Sequence, residues 1–432
     1  MKIPRQILQK LKIDRLNPMQ EVAFESINRH KEVILLSPTG TGKTLAFLLP
    51  IIAKLDPEQA GLQVLVLAPS RELALQIEQV AREMGSGFKV NAAYGGRKIA
   101  KDRAELAHTP SILIGTPGRL ADHIRRGTFS CEGLKYLVLD EFDKSLEIGF
   151  EKEMKQIIGA IPQRVSKILT SATYGVEVPA FVQLKEPELI NYAQEANKQL
   201  EIRRILSPSK DKLKILGASL RHLGPKSGIV FCNYKDSIQR VSDFLTAEGI
   251  DHACFYGGME QKDRERALIK FRNGTHRLLL ATDLAARGID VQALDFIIHY
   301  HLPSRAEEFT HRNGRTARMH EEGAAYVLQW EQEPLPDFVG ELAIQTLEDR
   351  PVPEATNWQT LFVSGGRRDK ISKGDIAGLF MKKGGLKADK LGLIELKNDC
   401  AFVAVSSPNI DKVLIKLDQQ KLKTKKVKVF LV

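Results

Sequence analysis

Short runs of aliphatic and β-branched residues alternate with longer amphipathic stretches, and this rhythm occurs twice along the chain. VILLS (33–37), VLVLA (64–68), SILIG (111–115), LVLD (137–140) and KILTS (167–171) are apolar at nearly every position. Strands buried on both faces of a parallel sheet look like this. Helical patterns of ten or more residues intervene, such as RELALQIEQVAREM at 71–84. After the polar NYAQEANKQ (191–199) the rhythm restarts with GIVFC (228–232), RLLLAT (277–282), DFIIHY (295–300) and AAYVLQ (324–329). The alternation predicts two α/β domains in tandem, each a mostly parallel sheet covered by helices, in residues 1–194 and 198–347. No short-period repeat points to a solenoid.

A second break falls at EDRPVPEATN (348–357), where two prolines and polar residues interrupt any periodicity. Beyond it, residues 358–432 change rhythm. LFVSGG, a helical SKGDIAGLFMKK, KLGLIEL, CAFVAVSS, a helical PNIDKVLIKLDQQ and KKVKVFLV suggest β-α-β-β-α-β, the order of an RNA-recognition-motif fold. Charge supports a polyanion-binding role. The chain carries +11 overall, and residues 358–432 alone hold 16 Lys/Arg against 7 Asp/Glu, a net of +9. The bland alternative is a solubilising surface.

The rest of the composition excludes several classes. LAFLLPIIA (45–53) is the longest apolar run, less than half of the ~20 residues of a membrane-spanning helix. MKIPRQILQK has no apolar core and no cleavage site of a secretory leader. Cys131, Cys232, Cys254 and Cys400 lack metal-ligand spacing, so neither a zinc site nor a disulfide framework is expected. The expectation is a soluble, cytoplasmic protein.

The strongest local signal is SPTGTGKT (37–44), between a hydrophobic strand and a helical pattern. Gly40 and Gly42 let the backbone curl so that amides face a triphosphate at a helix N-terminus. Lys43 would reach the β- and γ-phosphates and the Thr44 hydroxyl would ligate Mg²⁺. The loop departs from G-x-x-x-x-G-K-[ST] at its first position, Ser37. In LVLDEFDKSL (137–146) three acids crowd into four positions behind an apolar run, an arrangement ill-suited to a core. With a nucleotide loop in the same chain, Asp140 is expected to hold Mg²⁺ and Glu141 to orient or deprotonate the attacking water. Asp143 is expected to link neighbouring loops instead. A solvated corner is the competing reading.

Taken together, these residues resemble the DEAD-box RNA helicases over positions 1 to about 345. Gln20 of NPMQ matches the glutamine that reads adenine, and SPTGTGKT (with Thr39 to Thr44) and DEFD match the nucleotide motifs. APSRELA (68–74), Gly95–Gly96 and TPGR (116–119) match RNA-backbone segments, and SAT (171–173) matches the coupling motif. VFCN (230–233), ATDLAARGID (281–290) and HRNGRTAR (311–318) match the second domain's motifs. The sequence departs from the family at Phe142, at Ala317, and at Ile3, where an aromatic residue usually stacks on adenine.

The resemblance implies two RecA-like parallel-sheet domains that close when ATP and RNA are both bound. It makes Lys43, Asp140, Glu141, Arg315 and Arg318 catalytic, the two arginines reaching the γ-phosphate. An arginine supplied in this way is worth roughly 10³–10⁵ in rate. Gly288 and Asp290 would touch the nucleotide. Arg71, Gly96, Thr116, Arg119 and Thr282 would grip RNA phosphates and riboses, contacts without sequence information.

Residues 358–432 resemble the C-terminal domain of the DbpA-type bacterial helicases, most specifically in SGGR…K…GD. That implies delivery to a hairpin of large-subunit ribosomal RNA, a role in ribosome assembly, and a monomer. Arg367, Arg368, Lys370 and Lys373 look suited to a folded hairpin's backbone. Phe362 and Phe402 either stack bases or pack, and KLKTKK (421–426) is either a phosphate contact or a solvated turn. A general helicase acting on messenger or transfer RNA, and an ATP-gated RNA clamp, are the other readings.

Overall fold

Each short strand-like run becomes a strand inside a sheet, whereas the longer LAFLLPIIA lies largely in the helix Lys43–Ile52. The computed structural model describes residues 5–38, 40–172, 177–192, 200–283, 294–316 and 323–432, which fall into two units, residues 5–192 and residues 200–432. In the first, the strands are β1 (Glu32–Leu36), β2 (Val64–Leu67), β3 (Val90–Ala93), β4 (Ile112–Gly115), β5 (Tyr136–Leu139), β6 (Ser166–Ser171) and β7 (Glu188–Asn191). They pair in the order β3-β4-β2-β5-β6-β1-β7, all parallel.

Alternation along each strand builds two cores. Val64, Val66, Val138 and Ile168 pack on one face, whereas Leu65, Leu67, Leu137 and Leu139 pack on the other. Helices cover both faces, and several carry starts written in the sequence. Asn17 accepts from the Gln20 amide while its own amide donates to Gln20 Oε1, a capping box ahead of the helix Pro18–Arg29. Ser70 caps the helix Arg71–Glu83 by accepting from the Leu73 amide.

In the second unit, β8 (Leu200–Ser207), β9 (Gly228–Phe231), β10 (Ala253–Phe255), β11 (Leu278–Ala281), β12 (Phe296–His299), β13 (Gly323–Trp330) and β14 (Ala343–Ile344) form another parallel sheet, ordered β10-β11-β9-β12-β13-β8-β14. The chain therefore has two RecA-like parallel-sheet domains, followed by a small antiparallel one. In the latter, β15 (Trp358–Val363), β16 (Leu391–Leu396), β17 (Ala401–Ser406) and β20 (Val429–Leu431) order as β16-β17-β15-β20. The helices Lys373–Lys382 and Ile410–Leu417 cover one face of this sheet. A hairpin of β18 (Lys421–Leu422) and β19 (Lys425–Lys426) is added before the last strand.

The other face of that small sheet is not free along its length. Glu395, on β16, takes both oxygens to Arg272 at the end of the helix Gln261–Arg272, at 2.7 and 2.9 Å. Thr360 meets Asn273 Nδ2 at 3.1 Å and Thr275 Oγ1 at 2.7 Å. The antiparallel domain is thus anchored on the segment that precedes β11. Glu395 is largely enclosed there, and although that burial pushes its carboxyl up, Arg272 and then Lys397 outweigh it and hold the carboxyl below the usual range.

Candidate active site

The nucleotide loop lies at the C-terminal end of β1, where open parallel sheets place their ligands. Gly40 and Gly42 have φ of +85° and +87°, left-handed values that favour glycine. At Gly42 a Cβ would also lie 2.4 Å from Gln20 Nε2, so only hydrogen fits between loop and glutamine. Gln20 Nε2 donates to the Gly42 carbonyl at 3.3 Å and Asn17 Nδ2 to the Thr41 carbonyl at 3.0 Å. NPMQ is thereby tied to the loop through both polar side chains. Ser37, the departure from glycine, is fully buried and its hydroxyl meets Thr41 Oγ1 at 2.7 Å. Lys43 is buried, its ammonium donating to the carbonyls of Ser37 (2.5 Å) and Pro38 (2.7 Å). Thr44 follows it in the first turn of the helix Lys43–Ile52. Thr39 lies outside the described residues.

All three acids of DEFD are buried, contrary to the expectation that they avoid a core. The reason lies on β6. The Thr170 hydroxyl donates to Asp140 Oδ1 and accepts from the Glu141 amide, and Ser171 hydrogen-bonds Asp143. Burial first, and then the Glu141 charge, push the Asp140 carboxyl up to about 6. Glu141 has φ +45°, a strained backbone for a residue with a side chain, at the point where the chain turns from β5 into the helix Phe142–Glu147. Phe142 is accommodated in the core beside Leu139, Met154 and Ile157.

The segments that the resemblance assigns to the RNA backbone gather at the ends of the neighbouring strands β2, β3 and β4. Arg71 lies against the Gly95–Gly96 turn, where a Cβ on Gly96 would be 2.6 Å from Arg71 Nη1. Gly96 has φ +86° and is exposed. Gly115 has no room for a Cβ, which would sit 2.2 Å from the Ala93 carbonyl, and the Thr116 amide donates to that same oxygen. Arg119 is mostly buried and donates to the Arg97 carbonyl at 2.7 Å.

In the second unit Arg312 is enclosed and joins three motifs. It donates to both oxygens of Asp283 (2.6 and 2.5 Å), to Asn233 Oδ1 (2.7 Å) and to the His301 carbonyl (2.6 Å). Asn233, Asp283 and Arg312 belong to VFCN, ATD and HRNGR, and none of the three was singled out from the sequence. Arg315 is buried just after the helix Ala306–Asn313, and Thr282 is half-buried at the end of β11. Gly288, Asp290, Arg318, Ala317 and Ile3 lie outside the described residues.

In the antiparallel domain Phe362 and Phe402 meet edge-on with ring centres 5.6 Å apart, and Phe402 is buried. Phe430, a ring overlooked in the sequence, stacks on Phe362 at 4.7 Å and is the exposed member. Arg367, Arg368, Lys370 and Lys373 are all exposed. Gly366 must be glycine because a Cβ would strike the Asn398 carbonyl, and the turn is fixed by Arg367 and Arg368 amides donating to Lys397 and Asn398.

Comparison with known proteins accords with this layout. Residues 17–181 match the DEAD/DEAH box helicase family, 211–320 the helicase conserved C-terminal domain and 360–430 the DbpA RNA binding domain. The chain is 32% identical to the ATP-dependent RNA helicase DbpA of Escherichia coli, over 96% of this chain and 94% of that protein. It is 30% identical to the DbpA of Bacillus subtilis, over 95% and 93%. The chain belongs to the DEAD-box RNA helicases. It is an ATP-dependent RNA helicase of the DbpA type, with that group's RNA-binding domain. Among solved structures, Saccharomyces cerevisiae Dbp5 bound to RNA and ADP BeF3 aligns with a TM-score of 0.67 and 25% identity, over 76% of this chain and 88% of that one. Among the described residues no helix is long and apolar enough to cross a membrane.

The buried polar hub of the helicase's second unit predicts a pH dependence. Burial, and then the Arg312 charge, hold His299 down at about 3 from its ordinary 6.5, while Asn313 accepts its hydrogen bond at 2.9 Å. The unfolded chain therefore binds the extra proton below pH 6.5 and the folded chain does not. Stability present at pH 7 is lost as pH falls, about 2 kcal/mol by pH 5 from this group. Both tryptophans, Trp330 and Trp358, lie in this unit, so urea unfolding followed by their fluorescence reads it selectively. The expected result is a lower midpoint at pH 5 than at pH 7, with the difference reduced in His299→Gln.

Proposed function

We propose that this helicase hydrolyses ATP with Lys43 and the loop amides on the phosphates, Thr44 and Asp140 on Mg²⁺, and Glu141 as the base or orienter of water. Gln20 is assigned to adenine, with Thr39, Gly40, Thr41, Gly42, Gly288 and Asp290 completing the nucleotide contacts. Arg315 and Arg318 are assigned to charge stabilisation of the transferring phosphoryl group. Mg²⁺ fits the donors at hand. A carboxylate held by a threonine hydroxyl and a second hydroxyl are hard oxygen ligands, and Mg²⁺ usually takes one or two carboxylates plus phosphate oxygens and water. When bound, the ion neutralises charge developing on the phosphate oxygens.

The substrate proposed is large-subunit ribosomal RNA, met in the cytoplasm by a monomer during ribosome assembly. The observation that carries this reading is a single basic surface on the DbpA-type domain. Lys423 donates to the Lys370 carbonyl and pairs with Asp375 at 2.9 Å, while Lys425 pairs with Asp369 at 2.9 Å. These contacts fasten the β18–β19 hairpin against the turn that carries Arg367, Arg368 and Lys370. The two basic segments, separated by some fifty residues of sequence, form one face suited to the backbone of a folded RNA.

ATP hydrolysis by the full chain, measured with large-subunit RNA and with small-subunit RNA, tests the proposal. Strong stimulation by the large-subunit RNA alone is expected. Equal stimulation by both would leave a general RNA helicase. Tight RNA binding without strand release on a short duplex beside a loading hairpin would leave a clamp.

A further inference from the structure

One buried charge cluster joins Arg119, which the family resemblance assigns to the RNA backbone, to Asp102, which carries no assigned role. Asp102, on the helix Ile99–Leu106, is 1% exposed at its side chain. Three cationic or donor groups converge on it: Arg97 Nε at 3.4 Å, Arg119 Nη1 at 3.4 Å and His123 Nε2 at 3.5 Å. Arg119 is only 10% exposed, and its other terminal nitrogen donates to the Arg97 carbonyl at 2.7 Å. Arg97 in turn pairs with Glu105 at 2.8 Å, donates to the Ala92 carbonyl at 3.2 Å and lies over the Tyr94 ring. The cluster therefore grips the chain on both sides of Gly95–Gly96, at Ala92 and at Arg97.

That geometry leaves Arg119 ill-placed to hold a phosphate. Its guanidinium donates to a backbone carbonyl through one terminal nitrogen, and the other, which makes no hydrogen bond, faces the buried Asp102 carboxylate at 3.4 Å as an ion pair; the carboxylate competes with any incoming anion. The left-handed Gly96, exposed and free of a side chain, is the part of the turn that can approach a backbone.

We propose that Asp102 and Arg119 are positioning residues for the RNA grip, acting through the Gly95–Gly96 turn instead of touching RNA phosphate. The inference rests on reading this strand edge as the RNA-backbone surface. A planar guanidinium can donate to the Arg97 carbonyl while holding its charge against Asp102, whereas a lysine ammonium supplies charge without that fork.

Direct contact and positioning predict opposite signs for one substitution. If Arg119 held a phosphate, Asp102→Asn would release the arginine and remove a negative charge near the RNA, so binding would hold or tighten. If Arg119 sets the turn, Asp102→Asn loosens it and binding weakens. The experiment measures binding of a labelled single-stranded oligouridylate to the full chain in ADP–beryllium fluoride, together with RNA-dependent ATPase titrations. For Asp102→Asn and for Arg119→Lys the expected apparent Kd rises roughly tenfold or more, as for loss of a charge-assisted hydrogen bond. The RNA concentration for half-maximal ATPase should rise in step, with turnover at saturating RNA returning close to the parent value. Wild-type or tighter affinity in either variant overturns the proposal, and Arg119→Lys decides alone if Asp102→Asn does not fold. Arg71→Ala separates the two layers: if it leaves oligouridylate affinity unchanged, the RNA reading of this edge fails, whatever Asp102 does.

Discussion

Glu141→Gln is expected to lower ATP turnover at saturating ATP and RNA by about 10²–10⁴, the range supplied by a positioned general base. Nucleotide binding should remain, because the change is nearly isosteric in a buried position and the backbone bond from the Glu141 amide to Thr170 is untouched. Lys43→Ala should lose turnover and nucleotide affinity together, since it removes the ammonium that the Ser37 and Pro38 carbonyls hold at the loop. The two variants thus separate chemistry from binding. Hydrolysis assays beside a fluorescent-nucleotide titration check both, and undiminished turnover in both variants would refute the assignment of the acids. Asp143→Asn should cost less, because Asp143 is directed to Ser171.

Much of the architecture was legible because parallel strands buried on both faces must be apolar throughout. EVILL, VLVL, ILIG and YLVL could hardly be anything else, and their order with intervening helices fixes the fold class. The strands that went unread fail that criterion. β3 is VNAA, four residues with an asparagine and two alanines, and β10 is only ACF. β8, LEIRRILS, places two arginines in a strand that is half-buried over most of its length. The β18–β19 hairpin is two residues on each side, too short for any periodicity.

The site was legible where chemistry demands a residue type at a fixed spacing, as in SPTGTGKT. It was illegible where a polar group is satisfied from far away in sequence. The acids of DEFD looked unfit for burial because Thr170 and Ser171, which satisfy them, arrive from another strand. Arg312 sat inside a quoted motif, yet its partners Asp283 and Asn233 lie 29 and 79 residues away. Glu395 and Arg272 are 123 residues apart, and no local pattern marks either as the anchor of the last domain. Phe430 is a different case. Alternation in KVKVFLV puts it opposite the buried Val429, and the register that sets it beside Phe362 could have been inferred from a β-α-β-β-α-β order.

Removing residues 358–432 should abolish the proposed preference for large-subunit RNA while the remaining helicase still hydrolyses ATP with unstructured RNA. The surface uncovered includes the polar Arg272, Asn273 and Thr275, so the truncated chain should stay soluble. Both the binding of a large-subunit hairpin and its salt dependence should fall. Each lost phosphate contact lowers the log–log slope by roughly 0.7–0.9. Loss of several lysine and arginine contacts from the fused basic face would therefore flatten the slope by a few units, not a fraction of one. A combined Arg367→Ala, Arg368→Ala and Lys370→Ala variant should reproduce most of the affinity loss with the anchor at Glu395 intact. If the truncation flattens the slope and this variant does not, the RNA lies on the aromatic side, against Phe362 and the exposed Phe430. Unchanged preference after truncation would place target choice within residues 1–347 and return the last domain to a solubilising role.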